Sequence, residues 1–347
     1  MNILFLYTSM NVGGAQKVIV DLANNIKSEK NNVYVAAAKG NLNNKIYDSI
    51  MQYDVPFNDK KRLIKCLIFL DKIIREKDIN IIHSHHRYTT LLANIIKLKY
   101  KKIEVVHTEH SVFPDKNLVN LRGKNIIAVS DMVKTNLIKN GINELNIKVI
   151  YNGVKIGNLD EININYDDET RIGVIARLSK IKGHRYLIEA MNIIKKNYDL
   201  NIRIDFLGDG PEKNNIENQI LSYKLNDKIK VLGNVDNVID RIKEYDFFIL
   251  PSEFEGLPIS ILEIMSCGKF VIATDVGGNR EIINNGENGY LIESKSIEAI
   301  VDKVVEIYNN KSIFNILNHN AYETIRDRFN IDKTIFNHEK YYKGLYK

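Results

Sequence analysis

The chain has few cysteines: Cys66 and Cys267 are the only two in 347 residues. Two thiols cannot make a disulfide framework, so the expected setting is a reducing cytoplasm. No apolar run reaches the roughly 18 to 20 residues of a membrane span. The opening MNILFLYTS lacks a basic n-region and reads as a first strand rather than a signal peptide. There is no full G-x-G-x-x-G and no G-x-x-x-x-G-K-[ST] loop, so neither a dinucleotide fingerprint nor a Walker-type phosphate loop is supported. There is also no Asp-x-Asp pair, no short-period repeat and no low-complexity tract. What is present is an ordinary globular balance, 44% hydrophobic and 27% charged, in a chain long enough for two domains. The net charge of +6 is unevenly spread. Residues 1–160 hold 24 Lys and Arg against 14 Asp and Glu, a balance of +10, and the remainder holds 25 against 29, a balance of −4. A basic first half is expected to face something anionic, either nucleic acid or a bilayer carrying a phosphate-linked lipid.

Both halves alternate strand-like and helix-like segments, which predicts an α/β fold with parallel sheets. Asn2–Tyr7 is strand-like and runs through Gly13-Gly14 into a helix with apolar residues at Val18, Ile19, Leu22 and Ile26. Val33–Ala38 reads as a second strand. Asp59–Asp78 reads as one helix whose stripe at 63, 64, 67, 68, 70, 73 and 74 packs the core, with a basic flank at Lys60, Lys61, Arg62, Lys65, Lys72, Arg75 and Lys77. Membrane-surface contact is the sharper reading of that flank, to which Lys97–Lys102 adds charge. Further strands are expected before His83, at 103–107, in the run Asn125–Ser130, and over Lys148–Val154. The polar stretch 155–169 has no sustained helical stripe and is the best interdomain linker. Helices are expected over about 296–309 and 311–328, with a last one from about 331. Between them and the strand Phe270–Thr274, a Gly277-Gly278 turn and a hairpin-like end are expected.

Two stretches carry the chemistry. In SEFEGLPISILEIMSCG, Ser252–Gly268, Glu255 and Glu263 stand eight positions apart. The apolar FFILP ahead of it reads as a buried strand, and Pro258 suits a first helical position. Glu255 then lies in the turn above the strand's carboxyl end and Glu263 about a turn and a half into the helix. Free amides around Leu257, Ile259 and Ser260 would attract an anion. Carboxylates beside such amides suit a ligand that combines a diphosphate with neighbouring hydroxyls. The other stretch is RIGVIARLSKIKGHRYL, where Arg177 and Lys182 sit five apart in a loop after a strand and can together neutralise a diphosphate. In the first half, His83, His85 and His86 cluster after one strand, and His107, Glu109 and His110 end the next. Their spacing invites a metal, but no cysteine or acidic partner lies close to the first cluster. The ends of strands in open α/β sheets are where ligands bind.

The Glu-x7-Glu spacing, with the following IATDVGGNREII, resembles the signature of the family-4 retaining glycosyltransferases (glycosyl transferases group 1). The Arg-x4-Lys-Gly element at Arg177–Gly183 resembles the same family, and the likeness covers nearly the whole chain, most weakly over 40–75. It implies the GT-B type: two Rossmann-like α/β domains facing each other across a cleft. The domains expected are 1–155 on the acceptor side, a linker at 156–169, a nucleotide-sugar-binding domain at 170–328, and a helix at 329–347 returning to the first domain. By this resemblance Arg177 and Lys182 grip the donor diphosphate, Glu255 binds the donor sugar's hydroxyls and Glu263 the ribose. Gly14 lies beside the diphosphate, the backbone from Gly233 to Val235 meets the base, and His110 lies near the transferred sugar. His85 and His86 belong to a His-rich turn on the acceptor side. No metal or other cofactor is expected, the two cations standing in for a metal.

The resulting expectation is a retaining transferase that moves a hexose or N-acetylhexosamine from a nucleotide-diphosphate sugar, UDP-linked by family habit. The acceptor would be a lipid-linked saccharide in surface polysaccharide assembly. Localisation would be cytoplasmic or peripheral at the inner face of the membrane, through the basic first half. A sugar-nucleotide epimerase of similar fold and a non-catalytic nucleotide-sugar sensor compete with it. Nucleic-acid binding is set aside because the charge lies on amphipathic stripes, without aromatic interleaving in a recognised module.

Overall fold

The computed structural model describes residues 1–112, 125–157 and 169–346, which divide into two compact units. One comprises Met1–Asn152 with Ile331–Lys347, and the other Gly153–Asn330. Residues 158–168 of the expected linker lie outside the described residues.

The first unit runs β1 (Asn2–Ser9), α1 (Gly14–Ile26), β2 (Asn32–Ala38), β3 (Met51–Asp54), α2 (Leu63–Lys77), β4 (Ile81–Ser84), α3 (Arg87–Lys97), β5 (Glu104–Glu109), β6 (Ile126–Ala128), α4 (Asp131–Lys139) and β7 (Ile147–Val149). Its described strands form a seven-stranded sheet in the order β3-β2-β1-β4-β5-β6-β7, every pairing parallel. β1 is central: Leu4 lies opposite Tyr34 on one side and Ile82 on the other. A strand covered on both faces must be apolar throughout, and Ile3, Leu4, Phe5 and Leu6 are all fully buried. The order reverses between β1 and β4, so the crevice at their carboxyl ends is this sheet's natural ligand site.

The second unit runs β8 (Thr170–Ile175), α5 (His184–Asn197), β9 (Ile202–Leu207), α6 (Lys213–Ser222), β10 (Ile229–Gly233), α7 (Val238–Ile242), β11 (Phe247–Leu250), α8 (Ile259–Ser266), β12 (Val271–Thr274), α9 (Asn279–Ile282), β13 (Gly289–Ile292), α10 (Ile297–Asn309) and α11 (Phe314–Arg328). Its sheet, β10-β9-β8-β11-β12-β13, is also parallel at every pairing, with its switch between β8 and β11. Phe247, Phe270 and Phe314 form an aromatic cluster in its core, ring centroids 5.2–5.9 Å apart. Gly173 leaves the space for a fourth ring, since a Cβ there would lie 2.2 Å from Phe248 Cε1. Both units are therefore Rossmann-like α/β folds.

The last helix, α12 (Ile331–Leu345), belongs to the first unit. Its Tyr342 is fully buried, with the hydroxyl 2.6 Å from His83 Nδ1. Thr334 Oγ1 donates to the Tyr151 carbonyl, and Glu339 accepts from the Asn31 side chain.

Several local expectations need correction. The stretch from Asp59 begins as a 3-10 turn over Lys60–Arg62, because the Asp59 carboxylate takes the Lys61 amide, and the α-helix starts only at Leu63. The strand expected over 148–154 is Ile147–Val149, and Val154 instead makes an isolated parallel bridge to Asn330. Pro258 has ψ 115°, which is extended, so it precedes the helix rather than opening it. The hairpin-like end is a parallel crossover: β13 pairs in parallel with β12 and α9 lies between them. The first turn of the 311–328 helix is 3-10, over Lys311–Ile313.

Candidate functional site

The loops after β8 and β11 leave the sheet side by side at the switch point of the second unit. Their backbones touch: the Glu253 amide donates to the Ile181 carbonyl at 2.7 Å, and Gly183 crosses the chain at Pro251. Gly183 has φ 70°, and a Cβ there would stand 1.9 Å from the Pro251 carbonyl oxygen, so only glycine fits. On the far side Gly277, φ 54°, backs onto the Glu255 carbonyl, where a Cβ would approach to 1.8 Å. Glu255 is thus held between two loops by backbone packing, and its side chain is 7% exposed.

Lys182 Nζ donates to Glu255 Oε1 at 2.6 Å and is itself 21% exposed. Sequence reasoning gave these residues separate tasks, and the fold joins them in one ion pair across 73 positions. The neighbouring acid, Glu253, is occupied by Arg185 at 2.6 Å and Lys295 at 3.1 Å, so it anchors the loop. Arg177, one residue past Ala176 at the end of β8, is exposed and has no acidic partner among the described residues. α8 starts at Ile259. The amides of Ile259 and Ser260 head that helix, where no intrahelical partner exists for them. Leu257 is buried behind them, while Ser260 and Glu263 are half-buried. Val235 is half-buried just beyond β10, where the Gly233 carbonyl accepts from the Gly208 amide at 2.8 Å. The structure therefore gathers Arg177, Lys182 and Glu255 on adjoining loops. It adds a pairing that separation in sequence hid.

In the first unit the buried His338, His83 and His85 and the half-buried His110 form a chain. The ring of His83 lies 5.8 Å from His338 and 4.2 Å from His85, and His85 lies 5.2 Å from His110 in a near-parallel stack. His83 is structural, with both nitrogens partnered by Tyr342 and Thr108 at 2.6 and 2.7 Å. His86 caps α3 through its Nδ1, which accepts the Tyr88 amide at 3.1 Å. His107 pairs with Thr90 at 2.7 Å. Among the described residues, no group of three His, Cys, Asp or Glu is placed to hold a metal.

His85 Nδ1 meets His110 Nε2 at 2.9 Å, while His85 Nε2 is buried without a partner. One arrangement avoids an orphaned buried N–H, the costlier kind of unpaired group. It places the proton on His85 Nδ1 as donor, leaving His110 Nε2 as acceptor and a proton on His110 Nδ1. Burial holds the pKa of His110 down to about 4 and that of His85 well below the ordinary imidazole value, so neither is charged near neutrality. Glu109 stays ionised there: burial raises its pKa, but His107 and the Arg87 guanidinium at 2.9 Å outweigh that and hold it below the usual range. Gly14 is the first residue of α1, exposed at the carboxyl end of β1.

Comparison with known proteins agrees with this organisation. The family models described as Glycosyltransferase Family 4 and Glycosyl transferases group 1 match residues 12–157 and 156–327. An uncharacterized glycosyltransferase of Methanocaldococcus jannaschii is 30% identical over 318 residues, covering 86% of each chain. The Escherichia coli UDP-Gal:alpha-D-GlcNAc-diphosphoundecaprenol alpha-1,3-galactosyltransferase is 26% identical over 93% of this chain and 92% of its own. Among solved structures, Anabaena HepE in complex with UDP-glucose superposes with a TM-score of 0.85 at 20% identity, covering 99% of this chain and 100% of that one. The chain belongs to the family-4 glycosyltransferases, group 1, enzymes of the GT-B type.

Proposed function

We propose that this glycosyltransferase moves a hexose or N-acetylhexosamine from a UDP-sugar to an acceptor hydroxyl with retention of configuration, the acceptor being a lipid-linked saccharide in surface polysaccharide assembly. The observation that carries the donor half is the Lys182–Glu255 pair at the sheet's switch point, with the unpaired Arg177 on the same loop. A cation for phosphate and a carboxylate for hydroxyls, already in contact, match the two ends of a sugar–diphosphate bond. Two similar proteins, the Escherichia coli galactosyltransferase and Anabaena HepE, support UDP as the nucleotide, and the first supports a polyprenyl-diphosphate acceptor.

In this reading Arg177, Lys182 and the amides at Leu257, Ile259 and Ser260 stabilise charge on the departing diphosphate, the largest electrostatic demand of the step. Those cations take the place of a metal. Glu255 orients the sugar and Glu263 the ribose, and the backbone at Val235 meets the base. His85 and His86 lie on the acceptor side. The acceptor oxygen bonds to the anomeric carbon on the face that the phosphate oxygen leaves. The bond from that carbon to the phosphate oxygen breaks, and the acceptor's proton passes to the departing oxygen. A glycosyl adduct trapped on a protein carboxylate would exclude this front-face route.

The donor is tested by a thermal-shift panel of UDP-, GDP-, ADP- and dTDP-sugars. A ligand at a hundred times its Kd adds about 2.7 kcal/mol, and stabilisation by UDP-sugars alone is expected. Product analysis by NMR, with polyprenyl-diphosphate saccharide present, should show a new glycosidic linkage of retained configuration. An isomerised or free sugar made without acceptor would point to an epimerase instead, and no shift with any donor would refute the site.

A further inference from the structure

Helix α2 has two apolar faces, and the core uses one. Cys66, Leu70, Ile73 and Ile74 point inward and are buried. The outer face, with Lys61 of the 3-10 turn that leads into it, reads Lys61, Ile64, Lys65, Ile68, Lys72, Arg75, all exposed. Ile64 is 73% exposed and Ile68 65%. They lie four residues apart, so their side chains are neighbours on one helical ridge. Single exposed apolar residues are ordinary on a soluble protein, but an isoleucine pair set among lysines is the pattern of a helix that lies in a bilayer interface.

The charge on this face is largely uncompensated. Lys60–Lys77 holds seven basic and two acidic residues. Of the acids, Asp71 is engaged by Lys99, Tyr100 and Arg75, and Glu76 stands 3.8 Å from Lys72. Arg62 is neutralised by Asp59 at 3.1 Å. Lys60, Lys61 and Lys65 have no carboxylate partner among the described residues, and they surround Ile64. The helix starts at the carboxyl edge of the sheet, since it follows the parallel strand β3, and that edge also carries His85, His86 and His110. Lys60 is close enough to His86 to help depress its pKa.

We propose that the outer face of α2 is a membrane-docking surface: Lys60, Lys61 and Lys65 engage anionic lipid headgroups while Ile64 and Ile68 enter the headgroup–acyl boundary. This deepens the reading of a lipid-linked acceptor by naming the surface that brings the enzyme to it. The occupant is a bilayer because the face combines cations with apolar side chains. Nucleic acid would use the cations and leave the two isoleucines in water. Among the described residues no helix is long and apolar enough to cross a membrane, so α2 would lie along the surface.

The test is flotation of the full chain with vesicles of phosphatidylcholine alone or with about a third phosphatidylglycerol, at low and high salt. Binding to the anionic vesicles at low salt, weakened by salt, is expected. Each lysine near such a surface contributes about fivefold in affinity. Lys61→Ala/Lys65→Ala should therefore lose about 25-fold, and Ile64→Ser/Ile68→Ser at least tenfold. All four positions face solvent, so both variants should keep the thermal midpoint of the parent and its shift with nucleotide sugar. Absent binding, or binding that either double variant retains in full, overturns the proposal. Because the readout is vesicle binding, a failed donor assay with intact vesicle binding would count against the glycosyl-transfer reading alone.

Discussion

If Lys182 and Glu255 face a sugar and its diphosphate, replacing Glu255 by Gln should separate two affinities that ordinarily move together. The Lys182 ammonium is held 2.6 Å from the Glu255 carboxylate. Breaking a fully buried pair costs about 3–5 kcal/mol. Here Lys182 is 21% exposed and can turn to water, so a loss of about 1–2 kcal/mol is expected. Binding should respond in the opposite sense for the nucleotide alone. A diphosphate approaching Lys182 competes with Glu255 for the same N–H donors, and glutamine removes the charged competitor. UDP should therefore bind equally well or up to about tenfold tighter. The UDP-sugar gains the same benefit but loses carboxylate hydrogen bonds to its hydroxyls. Bonds to a charged group are worth about 1.5–3 kcal/mol, or roughly 10- to 100-fold. Calorimetric titration of parent and Glu255→Gln with UDP and with UDP-sugar should show their affinity ratio collapsing by that factor. Equal weakening of both ligands would make Glu255 a scaffold residue only, and unchanged affinities for both would remove the sugar from its reach.

Other outcomes follow from the same geometry. Gly183→Ala should lower stability by about 3 kcal/mol or more, from positive φ plus the Pro251 contact. Gly286→Ala, with φ 81° and nothing within 4 Å of its Cβ, should cost about 1 kcal/mol, and equal costs by chemical denaturation would refute the steric account. His184 is buried against Phe206 with both ring nitrogens unpartnered, and burial lowers its pKa to about 4. It stays neutral in the folded protein while the unfolded chain takes up a proton below about 6.5, so its contribution is present above 6.5 and is lost as pH falls toward 4. His184→Phe should flatten the acid decline of stability by about one proton, 1.4 kcal/mol per pH unit, and an unaltered slope would refute this. In 15N NMR His110 should show the proton on Nδ1. His85→Asn, which keeps a donor, should preserve that tautomer better than His85→Leu, and no difference between the variants would mean that His85 does not set it.

The sequence showed the alternating architecture because a parallel sheet covered on both faces needs apolar strands, and these stand out between polar helices. It placed each of the pairs Arg177–Lys182 and Glu255–Glu263 at one strand end because each lies within one strand–loop–helix segment. It could not show the Lys182–Glu255 contact, which depends on β8 and β11 becoming neighbours although they are distant in sequence. Nor could periodicity resolve α2. A stripe at 63, 64, 67, 68, 70, 73 and 74 looked like a single core face, yet Ile64 and Ile68 lie far enough around the helix to face solvent. The histidine chain was partly visible as neighbouring clusters, but His338 joins it only because α12 packs on the first unit. The 3-10 start at Lys60 turned on one side-chain hydrogen bond from Asp59, a choice that hydrophobic spacing does not encode.

The glycine contacts of the second unit bear on how such an enzyme could acquire a new donor. Gly183 lies on Pro251, Gly208 on Ala176, Gly210 on Leu178, Gly277 on Glu255 and Gly278 on Gly256, each against a carbonyl of the neighbouring strand-end loop after β8 or β11. These loops are mortised together through their main chains, so none can be swapped for a relative's loop without dislodging its neighbours. Lineages that changed sugar or nucleotide would be expected to do so by exchanging side chains on an inherited frame. A chimera carrying one foreign loop should misfold where a chimera exchanging the whole half survives.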